Sequence, residues 1–145
     1  SPLPSQQSLR ILVVEDARFN QMLALELLKK YFPKGEVELA DNGRVGLEKF
    51  QQRAYDLILM DIKMPVMDGY EAARSIRKLE NGRSTPIIAV TANAIPEQVE
   101  KCRAAGMNEV VTKPISGDEL IEKIQRGLAE HSTTSRTKPE RDGLT

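Results

Sequence analysis

Three runs of four consecutive apolar residues, Ile11-Leu12-Val13-Val14, Leu57-Ile58-Leu59-Met60 and Ile87-Ile88-Ala89-Val90, constrain this chain more than any other feature. Runs this short and unbroken fit strands covered by helices on both faces, the condition inside a parallel sheet. Two weaker segments accompany them. Glu36-Val37-Glu38-Leu39 alternates and Val110-Val111 is very brief, so both suit edge strands.

Between the runs, apolar residues recur at helical spacing: Ala24, Leu27, Leu28 and Tyr31; Gly43, Leu47, Phe50 and Ala54; Ala72, Ile76 and Leu79; Ile95, Val99 and Cys102; Ile121, Ile124 and Leu128. Punctuation agrees. Asp41-Asn42-Gly43 and Met67-Asp68-Gly69 suit helix starts, Pro96 a first helical turn and Gly106 a C-terminal cap. A strand-helix period repeated five times predicts an α/β fold, a five-stranded parallel sheet that is doubly wound, (βα)5 and flavodoxin-like. The commonest order for such a sheet is 2-1-3-4-5. The packed domain is expected over residues 9–130, with 1–8 a linker and 131–145, rich in Ser, Thr and Arg with a single Leu, a flexible polar tail or linker.

Composition narrows the classes of partner. With 21 Lys+Arg against 21 Asp+Glu there is no global field to draw in nucleic acid or anionic lipid, so neither is expected to bind this fragment. Cys102 is alone, which excludes an internal disulfide and a Cys/His zinc site and fits a reducing compartment. No apolar run approaches the roughly 18 residues of a membrane span. A cytoplasmic fragment without direct membrane contact is expected, although a parent chain attached to the inner membrane is compatible with it. No Gly-rich phosphate loop follows the first strand, which removes the dinucleotide-binding and P-loop readings.

In the order 2-1-3-4-5 the first and third strands are neighbours, and ligands bind beyond the carboxyl ends of the strands at that switch point. The residues there are Glu15-Asp16 after the first strand, Asp61 after the third, Thr91 after the fourth, and Thr112-Lys113-Pro114 after the fifth. Three carboxylates in one place repel each other, and one Lys cannot neutralise them. Hard oxygen ligands of this kind suit Mg²⁺ completed by waters and a backbone carbonyl.

Each residue also has a plainer reading. Asp16 could cap the following helix, Glu15 could be a solvated loop acid, Thr91 an ordinary strand-end Thr and Lys113 a surface residue at a turn. Asp61 resists this, because an acid straight after four apolar residues of a central strand must be paired, metal-bound or at the rim. The constellation at one sheet edge carries the weight. Met60, Met64 and Met67 read as gap fillers, Cys102 as a buried small hydrophobe, and Lys101-Cys102-Arg103 and Arg74 with Arg77-Lys78 as solvated helix faces.

The segments Leu12-Val13-Val14-Glu15-Asp16, Leu57 to Gly69 with Asp61-Ile62-Lys63-Met64-Pro65 inside it, Pro86 to Asn93, Ala105-Gly106-Met107 and Lys113-Pro114 together resemble the receiver domain of two-component response regulators. The segments Asp16 to Gln21, Thr91 to Ala94 and Cys102 to Asn108 are similar in particular to receivers of hybrid sensor histidine kinases. The resemblance implies that Asp61 is the phosphoacceptor, attacking a phosphohistidine. It implies that Asp16, Asp61 and the backbone carbonyl of Lys63 hold Mg²⁺, with Glu15 acting through a water. Lys113 would pair with a phosphoryl oxygen, oriented by a cis Pro114, and the Thr91 hydroxyl would meet another. Lys63 and Asn93 stand where the family tunes hydrolysis of the acyl phosphate. The implied partners are a histidine kinase or a histidine phosphotransfer protein, and members often pair through the face of the fourth and fifth helices. Catalysis would be limited to the domain's own phosphorylation and dephosphorylation, any kinase activity lying in a parent chain.

One position departs from the family. Its aromatic switch residue stands three places before the Lys, and here that place holds Val110, so a weaker or differently built conformational output is expected. Two alternatives stand beside this reading. A degenerate receiver serving only as an interaction module would lose an acid or the Lys, and none is lost. A Mg²⁺-dependent phosphatase with an Asp nucleophile wants a second acid where this chain has Lys63.

Overall fold

The computed structural model describes residues 3–144, with side chains described as far as Glu130. A short 3₁₀ turn (Pro4–Gln6) leads into β1 (Arg10–Val14), α1 (Arg18–Tyr31), β2 (Glu36–Ala40), α2 (Gly43–Gln52), β3 (Leu57–Asp61), α3 (Gly69–Lys78), β4 (Ile87–Thr91), α4 (Pro96–Ala104), β5 (Glu109–Thr112) and α5 (Gly117–Leu144). The five strands are all parallel in the order β2-β1-β3-β4-β5.

Side chains alternate across a strand, and the two faces of the sheet build two cores. Leu12, Val14, Ile58, Met60, Ile87 and Ala89 face α2, α3 and α4, meeting Phe50, Ala72, Ala73, Ile76 and Cys102. Ile11, Val13, Leu57, Leu59, Ile88 and Val90 face α1 and α5, meeting Ala24, Leu28, Phe32, Leu120 and Ile124. Every residue of β3 and β4 is buried, as their unbroken apolar text requires. The edge strands are covered less: β2 buries only Ala40, and β5 alternates. Each large aliphatic side chain so buried contributes roughly 1.5–3 kcal/mol.

Helix ends follow the expected punctuation. The side chains of Asn42 and Asp68 accept from the amides of Val45 and Glu71, and Pro96 opens α4. Gly106 takes φ +98° just beyond α4, where a Cβ would also lie 2.7 Å from Cγ of Arg77. Some residues assigned to helical stripes stand just outside the helices. Ala54 follows the extended Arg53, Leu79 caps α3, and Ile95 precedes Pro96, where the helical region is sterically disfavoured.

Two findings differ from the sequence expectation. Arg77 is not part of a solvated face: it is half-buried and donates to the carbonyls of Gly82, Thr85 and Gly106 and to Asn108 Oδ1, at 2.7–2.9 Å. Burial pushes its guanidinium down from its ordinary value. The helical backbone of α5 continues to Leu144, through the segment read as a flexible tail, because extending an existing helix needs no new nucleus. Among the described residues no helix is long and apolar enough to cross a membrane.

Candidate functional site

A parallel sheet puts all its carboxyl ends at one edge, and register fixes which of them are neighbours. Val14 lies beside Met60, Asp61 beside Val90, and Thr91 beside Thr112. The hydrogen-bond ladder continues past the strands: the amide of Glu15 donates to Ala40 O, that of Ile62 to Val90 O and that of Lys113 to Thr91 O. The residues following β1, β3 and β5 are therefore held by the sheet itself. After β3 the chain folds back tightly, the Gly69 amide donating to Ile62 O, and a Cβ on Gly69 would sit 2.2 Å from the Asp61 carbonyl oxygen.

At this edge Glu15, Asp16 and Asp61 each offer a carboxylate oxygen, all within 4.8 Å of one another. Glu15 and Asp61 are buried and Asp16 is exposed. Asp16 does not cap α1: the N-cap position is Ala17 and no side chain serves it. Lys113 Nζ stands 3.1 Å from Asp61 Oδ1 and 3.6 Å from Glu15 Oε1. The other oxygen of Asp61, Oδ2, is buried and has no hydrogen-bond partner. A buried acid with an orphaned carboxylate oxygen, clustered with two further acids, is the arrangement that a small hard dication completes, so the donor set fits Mg²⁺.

The electrostatics agree. Burial, opposed by the Ala17 amide bond and reinforced by Asp61, pushes the Glu15 carboxyl up to about 7. Burial likewise raises Asp61, against the pull of Lys113. Burial alone would lower the Lys113 ammonium, but Asp61 and Glu15 outweigh it and the net direction is up. Raised carboxyls of this kind make protons and a cation compete for the same oxygens.

The other residues singled out from sequence lie on neighbouring strand ends, in loops and in the core. The Lys113–Pro114 peptide is cis. Thr91 is buried, and its hydroxyl accepts from the Asn93 amide at 3.1 Å and donates to the Asn93 carbonyl at 3.3 Å. Lys63 and Asn93 are exposed, and Val110 is half-buried against the α2–α4 side of the core. Met60 is buried, with Met64 and Met67 packed on the same core. Cys102 is buried with its thiol pushed up by burial, as an inert core residue should be.

Sequence reasoning missed Gln21, a buried residue on α1 whose Nε2 donates to the Glu15 carbonyl at 2.7 Å and to Asp41 Oδ1 at 2.9 Å. Its signal was available: a polar residue in helical register with Ala24 and Leu28 must be hydrogen-bonded inside. Also missed was Val66, 73% exposed with φ +70° in the loop after β3, where the Met67 amide donates to Pro65 O across a γ-turn.

Comparison with known proteins supplies a family. A model described as response regulator receiver domain matches residues 11–125. Hybrid signal transduction histidine kinase G of Dictyostelium discoideum is 41% identical over 125 residues, covering 86% of this chain and 4% of the kinase. The chain thus spans a small part of the length of that relative. Among solved structures, the receiver domain of sensor histidine kinase PA1611 from Pseudomonas aeruginosa PAO1, with a magnesium ion in its active-site cleft, is 41% identical with a TM-score of 0.77, covering 85% of this chain and 99% of that one. The receiver domain of Saccharomyces cerevisiae Ssk1, solved with the histidine phosphotransfer protein Ypd1, gives 30% identity and a TM-score of 0.75, covering 86% of this chain and 89% of that one.

Proposed function

The chain belongs to the response regulator receiver domain family, and from that premise we propose that it is a phosphoacceptor in a two-component phosphorelay, with Asp61 as the residue phosphorylated. The observation that carries the reading is the buried Asp61 carboxylate, with Oδ1 against Lys113 and Oδ2 unpartnered among the acids. An Asp61 oxygen attacks phosphorus, the N–P bond of a phosphohistidine breaks, and its electron pair returns to the imidazole nitrogen, which takes a proton from water. Asp16, Asp61 and the Lys63 carbonyl would hold Mg²⁺, with Glu15 acting through a water, and the ion would supply neutralisation of the transferring phosphoryl oxygens.

The remaining roles fall to residues on the neighbouring strand ends. Lys113, already paired with Asp61, moves to a phosphoryl oxygen and is oriented by Pro114. The Thr91 hydroxyl leaves its turn with Asn93 to meet another, which carries the charge change into the β4–α4 connection. Lys63 and Asn93, exposed beside the centre, govern access of water and so the lifetime of the acyl phosphate.

The partner is a histidine kinase or a histidine phosphotransfer protein. Phe19, Val66 and Ile95 are 75%, 73% and 46% exposed, and all three follow carboxyl ends of strands, giving the acidic centre an apolar rim on which a helix carrying the histidine can rest. On this reading the working unit is residues 9–130, a cytoplasmic domain, and its likeness to hybrid kinase receivers is compatible with a parent chain attached to the inner membrane. If copies pair, the α4–α5 face, where family members often meet, is the surface they would use. Incubation with Mg²⁺ and a small phosphodonor tests the reading: the mass should rise by one phosphoryl group in the wild type and stay unchanged in Asp61→Ala. A wild-type mass that does not change rejects it.

A further inference from the structure

We propose that Gln21 is a positioning residue for the Mg²⁺ ligand Asp16, acting through the peptide that joins Glu15 to Asp16; the inference rests on the receiver reading above. Gln21 is 3% exposed, and a buried primary amide is costly unless its donors are used. Here they are used on two acceptors from two different loops. Nε2 lies 2.7 Å from the carbonyl of Glu15, which follows β1, and 2.9 Å from Oδ1 of Asp41, which follows β2.

The Glu15 carbonyl belongs to the peptide plane leading into Asp16, so holding it fixes the direction in which the Asp16 side chain leaves the main chain. The plane on the far side of Asp16 is held as well, because the Ala17 amide donates to Glu15 Oε2 at 2.9 Å. The Glu15 amide is tied to Ala40 O at 3.0 Å. Asp16 is itself exposed and caps no helix, so its aim depends on these main-chain restraints. Of them, the bond from Gln21 is made by a side chain and can be removed without breaking the sheet. The charge of Asp41 strengthens its half of the arrangement and settles which end of the amide faces the two acceptors. Gln21 bonds to Glu15 O and Asp41 Oδ1 rather than to an acid of the cluster, and it acts by orienting a residue that would hold the metal.

The test titrates Mg²⁺ into the full chain of wild type, Gln21→Leu and Gln21→Glu, following amide resonances, with melting in metal-free buffer as a check of folding. Gln21→Leu should bind Mg²⁺ about tenfold more weakly, the usual scale for loss of an outer-shell partner. Gln21→Glu separates positioning from charge. By attraction alone an added carboxylate would tighten Mg²⁺ binding, whereas a carboxylate facing a carbonyl and Asp41 supplies no N–H and should weaken it. Variants binding within twofold of wild type, or tighter binding by Gln21→Glu, overturn the proposal. Should Gln21→Leu not fold, the isosteric Gln21→Glu decides alone. If the wild type itself binds no Mg²⁺ and takes no phosphoryl group, the receiver reading falls and this inference with it. If only the Gln21 inference fails, wild-type binding and phosphorylation remain intact.

Discussion

Lys113 Nζ lies 3.1 Å from Asp61 Oδ1, across the intervening β4, and is the cation facing the buried pair of Asp61 and Glu15. A charge-assisted contact of this kind is worth about 1.5–3 kcal/mol, and on the proposed function it would be transferred to an incoming phosphoryl oxygen.

Replacing Lys113 by Met should therefore separate metal binding from phosphorylation. Removing a positive charge leaves the acids more attractive to Mg²⁺, so affinity for the ion should hold or rise. The rate of phosphorylation from a small donor should fall about 10- to 100-fold, the equivalent of that contact. Rate measurements at saturating Mg²⁺ decide it, and a rate within twofold of wild type contradicts the role given to Lys113.

The raised Glu15 carboxyl fixes the sign of a pH effect. Its ordinary value is 4.5 and its value here is about 7, so between these pH values the folded chain binds more protons than the unfolded one. Stability in metal-free buffer should then fall as pH rises from about 4.5 to 7 and level off above, with Asp61 acting in the same direction. On the proposed function Mg²⁺ would bind the deprotonated acids, so its stabilising effect should grow over the same window. Urea midpoints measured against pH with and without Mg²⁺ test both statements, and a metal-free midpoint that climbs through this window contradicts them.

Arg77→Ala should unfold the protein more readily by about 2–4 kcal/mol, because the carbonyls of Gly82, Thr85 and Gly106 and the Asn108 side chain lose their shared donor. Asn108 also holds the amide of Ile87 at 2.8 Å, so the damage should extend to the start of β4. These residues sit at the amino edge of the sheet, away from the acids. Phosphorylation of the folded fraction should remain at the wild-type rate, as urea melts paired with rate measurements would reveal.

What was legible in the sequence, and what was not, follows from how far each signal reaches. The inner strands declare themselves because four consecutive apolar residues need cover on both faces, and Asp61 because an acid directly after such a run needs a reason. Sheet order then brings Glu15, Asp16 and Lys113 to it without further information. Arg77 was misread because helical position predicts only a face, while its acceptors come from separate loops assembled by tertiary folding. Val66 was missed because nothing local marks a positive φ at a β-branched residue; the loop is held at Met67 O by the Gly43 amide and at Ile62 O by the Gly69 amide, and Val66 absorbs the turn between them.

That turn makes Val66→Gly informative. A β-branched residue at φ +70° carries roughly 1–2 kcal/mol of backbone strain, of which Gly would relieve most while adding about 0.5–1 kcal/mol of unfolded-state entropy. The net effect should be neutral to about 1 kcal/mol stabilising. Its apolar side chain is 73% exposed, so transfer from a phosphorylated histidine protein should slow while reaction with a small donor does not. Equal slowing with both donors would place Val66 in the chemistry rather than on the docking rim.

The last prediction concerns the output. Val110 lines a cleft of about 270 Å³ with Ala94, Val99 and Met107, on the side of the molecule where the family's aromatic switch would stand. A Val has no ring to move between exposed and buried positions when Thr91 turns toward a phosphoryl group in the way proposed above, so beryllofluoride, a phosphoryl mimic, should shift amide signals in α4 and β5 less than in aromatic-bearing receivers. Because the cleft is open and Val110 only half-buried, Val110→Tyr should fold with a stability change under about 1 kcal/mol and should enlarge those shifts. Wild-type shifts already as large as those of aromatic-bearing receivers would mean that the signal passes from Thr91 to the α4–β5 face without a ring.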